Sequence, residues 1–297
     1  MELAQFLTLT QRYCGPYREK PENLPGLSTY RRSKISEIEA SVYQPVMCLI
    51  LQGSKTTSSG AQSVTLRQGD AVLVSHDLPV TSRITQASTS APYCALILSL
   101  DLALLRSLRE ELGDGLPQTD AVRALCAAPA DPNWLAPLAR YLALADNPQD
   151  AQVLGPATLR EIHYRLLLSP IGGMLRRLLS VDSHASRVAR AISQIRSGFR
   201  DPLAVPDLAR VAGMSPSSFY DHFKSVTGTT PLQYQKDLRL IAARALLTDQ
   251  DHSVSAAAFA VGYESPTHFS RDYSRKFGQA PSRDAKAQPT DGLVMNA

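Results

Sequence analysis

A chain of 297 residues, 44% apolar and 20% charged, is long enough for one large or two ordinary domains with real cores. A formal net charge of +4 excludes a polycation that coats nucleic acid indiscriminately, and Cys14, Cys48, Cys94 and Cys126 lie without CxxC spacing or nearby histidine pairs, so they read as reduced thiols and not as a disulfide framework or zinc site. No basic start leads into a long apolar run and no stretch reaches about 18 apolar residues, so the expectation is a cytoplasmic protein without signal peptide or membrane segment.

Residues 1 to about 20 predict a short helix with Leu3, Phe6, Leu7 and Thr10 on one side. From Leu27 the texture turns to strands. VMCLIL (46–51) and YCALILSL (93–100) are continuous apolar runs of strand length, SVTLRQ and AVLVS straddle a turn at Gly69 and Asp70, and VTSRIT alternates. Such short strands with turn signals between them predict a small antiparallel barrel or sandwich over about residues 24–101. Its interior has room for a small molecule, with Gln52, Lys55 and His76 as candidate polar contacts; a solid barrel that only mediates contacts is the other reading. One barrel histidine falls short of an open metal site, which needs about three imidazole or carboxylate donors, so no metal or other cofactor is expected, and His76 beside Asp77 reads as structural or surface. No nucleophile elbow, phosphate-cradling glycine loop or paired-acid constellation occurs, so the barrel is expected to sense and not to catalyse. Cys48 and Cys94 lie in apolar runs as small hydrophobes, with thiol-based sensing as the alternative.

Between residues 102 and 180 the periodicity becomes helical. Leu102, Leu105 and Leu108 start a helix ending near Gly113, Trp134 to Leu144 gives another, and TLREIHYRLLLSPIGGMLRRLLS gives two short ones broken at Pro170, Gly172 and Gly173. The first of this last pair carries Leu159, Ile162 and Leu166 on one side, either to pack on the barrel or to form a dimer interface, and His163 on it reads as a surface or packed residue. VDSHASRVAR makes a short junction near 181–190, after which Val188, Ala191, Ile192 and Ile195 begin a second helical unit.

That unit repeats itself at a period of about fifty residues. Ala209, Gly213, Phe219, Phe223 and Gly228 correspond to Ala258, Gly262, Phe269, Tyr273 and Gly278. In each copy an apolar stripe (Val205, Leu208, Ala209 and Ala212; then Val254, Ala257, Ala258 and Val261) builds a short helix, a glycine permits the abrupt exit, and Ser-Pro opens a second helix. Phe219, Phe223 and Val226, or Phe269 and Tyr273, form the inner stripe of that second helix. Ser217, Tyr220, Asp221 and Lys224, or Pro266, Thr267, Ser270, Arg271 and Ser274, are left outward. These are two helix-turn-helix motifs, at about 205–226 and 253–277, with one extra residue in the second turn. Tyr234, Leu238, Ile241 and Ala245 set the stripe of a helix joining them. At about 16 residues it spans roughly 24 Å, which with the motifs added brings the outward helices near the ~34 Å repeat of B-DNA. Beyond Pro281 the tail is small and polar and is expected to fray.

The last 110 or so residues, with LQYQKDLRLIAARALL through the linker and VGYESPTHFSRDYSRKFGQAP at the end, resemble the DNA-binding domain of the AraC/XylS family of bacterial transcription regulators. PVMCLILQGSK, Gly60 and SHDLPVTS resemble the cupin-like regulatory domain of one branch of that family. The expected architecture is therefore α+β: residues 1–182 a regulatory domain of a small antiparallel β-barrel with helices at about 102–180, and residues 183–297 an all-α domain of two helix-turn-helix motifs on a linker helix. The resemblance implies a sequence-specific regulator, an activator by family analogy, acting on double-stranded DNA over two successive major-groove turns, with a small-molecule effector, RNA polymerase as partner and a homodimeric state. Base contacts fall to Ser217, Tyr220 and Asp221 and to Thr267 and Arg271, with Ser270 on the same face and Lys224, Arg275 and Lys276 meeting phosphates. From His184 onward 14 Lys or Arg face 10 Asp or Glu, and the two signs are equal before it, so the chain's positive charge lies in this half. Asp221 departs from the basic or polar residue common in the family at its position; an acid there accepts from cytosine and repels phosphate. A ligand- or thiol-sensing protein whose DNA domain is secondary, and a metal-dependent cupin enzyme, are the rival classes.

Overall fold

Why two of the strands read as unbroken apolar runs follows from what lies on either side of them. The computed structural model describes residues 6–8, 10, 23–248 and 252–284; Leu3, Cys14 and the tail beyond Asp284 fall outside the described residues. Phe6 and Thr10 are both buried, as the spacing of the opening segment predicts. Nine strands among the described residues form two antiparallel sheets: β1 (Leu27–Arg32), β2 (Glu39–Tyr43), β3 (Val46–Gln52), β4 (Ser54–Ser59), β5 (Gln62–Arg67), β6 (Asp70–Val74), β7 (Leu78–Gln86), β8 (Tyr93–Ser99) and β9 (Leu125–Pro129). One sheet has the order β1-β8-β3-β6-β9 and the other β2-β7-β4-β5.

The inward residues Cys48, Ile50, Val72, Tyr93 and Ile97 of the first sheet meet Leu66, Val80 and Ile84 of the second. Its outward residues Met47, Leu49, Leu51, Leu73, Leu96 and Leu98 are equally buried, under helices. A strand covered on both faces needs no polar alternation, hence the runs at β3 and β8. The second sheet leaves much of its outer face exposed, and β5 and the second half of β7 alternate accordingly.

The covering helices are α1 (Leu102–Leu112), α2 (Pro132–Ala143), α3 (Pro148–Leu168) and α4 (Gly173–Leu179). Asp101 caps α1, accepting from the amides of Ala103 and Leu104, and Gly113 ends it. α3 begins ten residues before the helix that spacing predicts at Thr158 and runs through Gly155 and Pro156, two nominal breakers. An ideal Cβ on Gly155 would lie 3.7 Å from Tyr141 of α2, so α2 and α3 pack closely there and tertiary contact overrides local propensity. Ile162 and Leu166 are fully buried and Leu159 half-buried beneath the first sheet, so this stripe is a packing stripe and not a free dimer surface. His163 is buried with it; its Nε2 accepts the Asp101 amide at 2.9 Å and its Nδ1 bonds the Leu159 carbonyl at 2.8 Å, a neutral histidine whose pKa burial pushes down.

After a four-residue connection in which Asp182 takes φ 54°, the chain continues as α5 (His184–Ser197), α6 (Val205–Ala212), α7 (Pro216–Thr227), α8 (Pro231–Thr248), α9 (Val254–Ala260), α10 (Pro266–Phe277) and α11 (Pro281–Asp284). The expected fraying therefore does not begin at Pro281: Pro281 and Asp284 are buried, and Asp284 takes a hydrogen bond from Tyr273 at 2.5 Å and an ion pair from Arg244 at 3.2 Å. The linker α8 also corrects the expected stripe. Tyr234 and Leu238 face the first motif, while Leu240, Ala243 and Leu247 face the second; Ile241 is only half-buried and Ala245 exposed. A helix between two bodies buries two stripes and cannot keep one.

The first motif and the strands share one apolar cluster, which runs from Val74 and Leu125 to Ile192, Phe219 and Tyr234. Polar contacts bolt the same seam. Asp77 pairs with Arg196 and its carbonyl accepts from the Tyr234 hydroxyl at 2.6 Å, and Arg244 donates to the Ile38 carbonyl at 2.8 Å.

Candidate functional site

Both helix-turn-helix turns are built from the same hydrogen bonds. Gly213 (φ 63°) donates to the Arg210 carbonyl and Met214 to that of Ala209, at 3.0 and 2.9 Å. In the second copy Gly262 (φ 85°) donates to Phe259 and Tyr263 to Ala258, each at 3.0 Å. This is the left-handed glycine exit, with both last carbonyls satisfied. Ser215 then caps α7 through the Ser218 amide and Ser265 caps α10 through that of His268, each followed by proline. The extra residue of the second copy lies between its glycine and its serine cap, where it lengthens the turn without altering either helix.

On α7, Ser217, Tyr220, Asp221 and Lys224 are all exposed, Tyr220 at 41%, so its ring is not folded against α8. On α10, Thr267, Arg271 and Arg275 are exposed and Ser270 is half-buried. Among the described residues no ion pair holds Lys224 or Arg271. Lys276 differs: its ammonium sits 2.8 Å from Asp237 of α8, with 12% of the side chain exposed, so it is tied to the linker. Lys224, Lys236 and Arg275 stand around a cleft of about 670 Å³ where the two motifs meet the β4–β5 hairpin.

Sequence reasoning missed what sets the motifs relative to each other. Arg239 of α8 donates from Nε to the Phe199 carbonyl at 2.7 Å, to Gly262 at 2.9 Å, and to Arg200 and Asp201 at 3.0 Å each. One guanidinium thus joins the loop before the first motif to the turn of the second, in the planar fork geometry that lysine lacks. Gly262 is required by the same closeness, since an ideal Cβ there would lie 2.0 Å from the Arg200 carbonyl oxygen. An arginine at the centre of the linker, between the buried Leu238 and Leu240, was the available signal.

The C-terminal end of α7 is finished by the strands. Its last carbonyls, Val226, Thr227 and Gly228, accept from the Ala124 amide (2.9 Å), the Ser59 hydroxyl (3.4 Å) and the Ala61 amide (3.2 Å). An ideal Cβ on Gly60 would come within 2.2 Å of the Gly228 oxygen, so the hairpin tip lies directly on the end of this outward helix. At the junction His76 is buried, with Nδ1 2.8 Å from the Ser75 hydroxyl and Nε2 3.1 Å from the Ala185 carbonyl of α5; burial drives its pKa down to about 4. His76 is therefore a joint between strands and helices and does not share a site with Lys55.

Lys55 lies between the sheets, 3% exposed. Its ammonium is 3.5 Å from the Tyr43 hydroxyl and 3.7 Å from the Cys48 sulfur. Burial opposes the charge, but Cys48, Tyr43 and Tyr93 outweigh it and hold the pKa well above the usual lysine range. The hydroxyls of Tyr30, Tyr93 and Thr57 and the side-chain oxygen of Gln52 are buried without a hydrogen-bond partner. Among the described residues no group of three or more His, Cys, Asp or Glu could hold a metal, and no helix is long and apolar enough to cross a membrane.

Comparison with known proteins gives matches over both halves. The family described as AraC-type transcriptional regulator N-terminus matches residues 23–174, and the helix-turn-helix domain family matches residues 208–287. The HTH-type transcriptional regulator CdhR of Pseudomonas aeruginosa is 30% identical over 137 residues, covering 46% of this chain and 38% of that protein. The HTH-type transcriptional activator RhaS of Escherichia fergusonii is 32% identical over 143 residues, 46% of this chain and 51% of that protein. The chain thus spans about two fifths to half the length of these curated relatives. ToxT of Vibrio cholerae has the same fold, with a TM-score of 0.54 at 14% identity over 88% of this chain and 97% of that one.

Proposed function

Because this chain belongs to the AraC-type transcriptional regulators, we propose that it is a sequence-specific DNA-binding regulator with a division of labour near residues 182–183, strands and α1–α4 regulating and α5–α11 reading. The observation that carries the reading is the duplicated turn: two identically hydrogen-bonded glycine exits, each followed by a Ser-Pro-capped helix with an exposed polar face, joined through one arginine. Two such helices on one rigid linker of 18 residues suit two successive major-groove turns.

Ser217, Tyr220 and Asp221 read bases in one turn and Thr267 and Arg271 in the other; Lys224 and Arg275 contact phosphate, Ser270 lies beside them, and Lys276 holds α10 to the linker. Arg271 at the centre of an outward helix suits bidentate contact with guanine, worth about 1–3 kcal/mol of discrimination. An effector in the strand domain, activation through RNA polymerase, a homodimer and a cytoplasmic location complete the reading, which gives the chain no catalytic role. Seam contacts such as Asp77–Arg196 and the hairpin on α7 supply a route by which occupancy between the sheets biases presentation of the reading helices. The test is a selection of bound duplexes from random DNA with wild-type and Arg271→Ala protein in parallel. Two short conserved blocks about one helical turn apart, with one base preference lost in one block only, support the assignment. No enrichment of any sequence at moderate salt refutes ligand-independent reading.

A further inference from the structure

The interior between the two sheets is apolar except for one cluster of polar groups. Tyr30 and Tyr93 enter it from the first sheet, their rings edge-on at 6.1 Å; Tyr43, Lys55 and Thr57 enter from the second. Lys55 and Thr57 are both buried because they occupy alternate positions of β4 and so share its inner face. Nearby, Arg32 and Glu39 neutralise each other at 2.7 Å, and among the described residues Lys55 has no carboxylate within ion-pair distance. The interior therefore holds one uncompensated positive charge and three hydroxyls, of Tyr30, Tyr93 and Thr57, with no hydrogen-bond partner. A lone buried charge costs several kcal/mol and each orphaned buried hydroxyl about 1–3 kcal/mol, so three unmet hydroxyls around an ammonium held only by the Tyr43 hydroxyl at 3.5 Å and the Cys48 sulfur at 3.7 Å are costly unless something meets them.

We propose that this cluster is the effector site and that its ligand is a small monocarboxylate. A carboxylate offers about four lone-pair positions, a number that matches the Lys55 ammonium and the hydroxyls of Tyr30, Tyr93 and Thr57. One negative charge neutralises the interior, whereas a dianion such as phosphate leaves a net buried negative charge, and a neutral alcohol or amide leaves the ammonium unpaired. The apolar side chains that share this interior, Ile50, Leu66, Val80 and Ile84, are aliphatic and suit the apolar end. The inference rests on the reading of the strand domain as regulatory, and it goes further in naming the ligand's chemistry and the residues that select it.

The test uses the full-length protein in thermal unfolding and calorimetric titration. The probes are sodium acetate, propionate and butyrate at constant ionic strength, with sodium chloride and the three corresponding amides as controls. The expected result is a saturable rise in melting temperature with at least one acid, none with its amide, and none with the acid in Lys55→Met. Thr57→Val and Tyr93→Phe, which each remove one hydroxyl, weaken that binding by about fivefold; they carry the test if Lys55→Met does not fold. Acids indistinguishable from chloride, or a Lys55→Met protein that responds like wild type, overturn the proposal. The random-duplex selection run on ligand-free wild type separates the two failures. Enrichment of a site without any carboxylate response sinks the ligand assignment alone, whereas no enrichment either without or with the three acids sinks the DNA-binding reading.

Discussion

Replacing Arg239 by alanine tests whether the linker helix fixes the two reading helices relative to each other. The guanidinium bonds four carbonyls, but Gln235 also donates to two of them, Phe199 at 3.0 Å and Asp201 at 2.7 Å. The net loss therefore falls on Arg200 and Gly262, one on each motif's side. Hydrogen bonds from a charged donor contribute about 1.5–3 kcal/mol each, and the half-exposed setting of Arg239 argues for the lower end, so the variant loses about 3 kcal/mol in urea unfolding. Its effect on DNA should be selective. Binding to a two-block site draws on both motifs held in register, and a loosened register lowers the effective concentration of the second motif without touching either reading face. Affinity for the full site should then fall by about tenfold or more while affinity for each single block stays as it was. Arg239→Lys should recover only part of the loss, because one ammonium cannot span both sides. Equal losses on single-block and two-block DNA would mean general unfolding and would refute the register argument, as would an unchanged unfolding midpoint.

Two further outcomes separate residues that look alike in sequence. Lys224→Ala should lower the slope of log affinity against log salt by about one, as one phosphate contact is removed, whereas Lys276→Ala should leave that slope intact and lower stability through loss of its pair with Asp237; filter binding over a salt series and urea unfolding read the two. His76 has a folded pKa of about 4 against 6.5 unfolded, so the unfolded chain binds the extra proton and stability, fully present above pH 6.5, falls as pH drops toward 4. The shift predicts a loss of about 2 kcal/mol between pH 7 and pH 5, which should be largely absent in His76→Gln and is measured from urea midpoints at the two pH values.

The parts of this molecule that local chemistry determines were legible in the chain. Gly213 and Gly262 sit where only a left-handed residue closes the helix, Ser-Pro follows where a cap and a first-turn proline fit, and the aromatic pairs four apart mark the inner face, so both motifs could be placed to within a residue or two. The apolar runs of β3 and β8 were equally plain, because burial on two faces removes every polar position. What stayed hidden depends on which of two neighbours a residue meets. The linker shows one helical period in sequence but buries two stripes, and Leu159, Ile162 and Leu166 give the same pattern whether they face a sheet or a second subunit. Lys276 and Arg275 are adjacent cations, and only the position of Asp237 on another helix decides that one is tied to the linker, while the other, 3.9 Å from Asp272 of its own helix, stays exposed.

Lys55 was legible as a candidate polar contact of the strand interior, but not as a buried residue with no carboxylate beside it among the described residues. In SKTTSS no apolar residue marks the inner face of β4, and a strand of lysine, threonine and serine reads as a solvated edge. It is nonetheless buried, because β4 is flanked by β5 and β7 and lies across from a sheet that is itself covered. A fold selected for stability alone would place valine or isoleucine at 55 and 57, as it does at the inward positions of β6 and β8. That it places an ammonium and a hydroxyl there, opposite two tyrosines with unmet hydroxyls, locates a local departure from good packing, and such departures are where a function held inside the fold is to be sought.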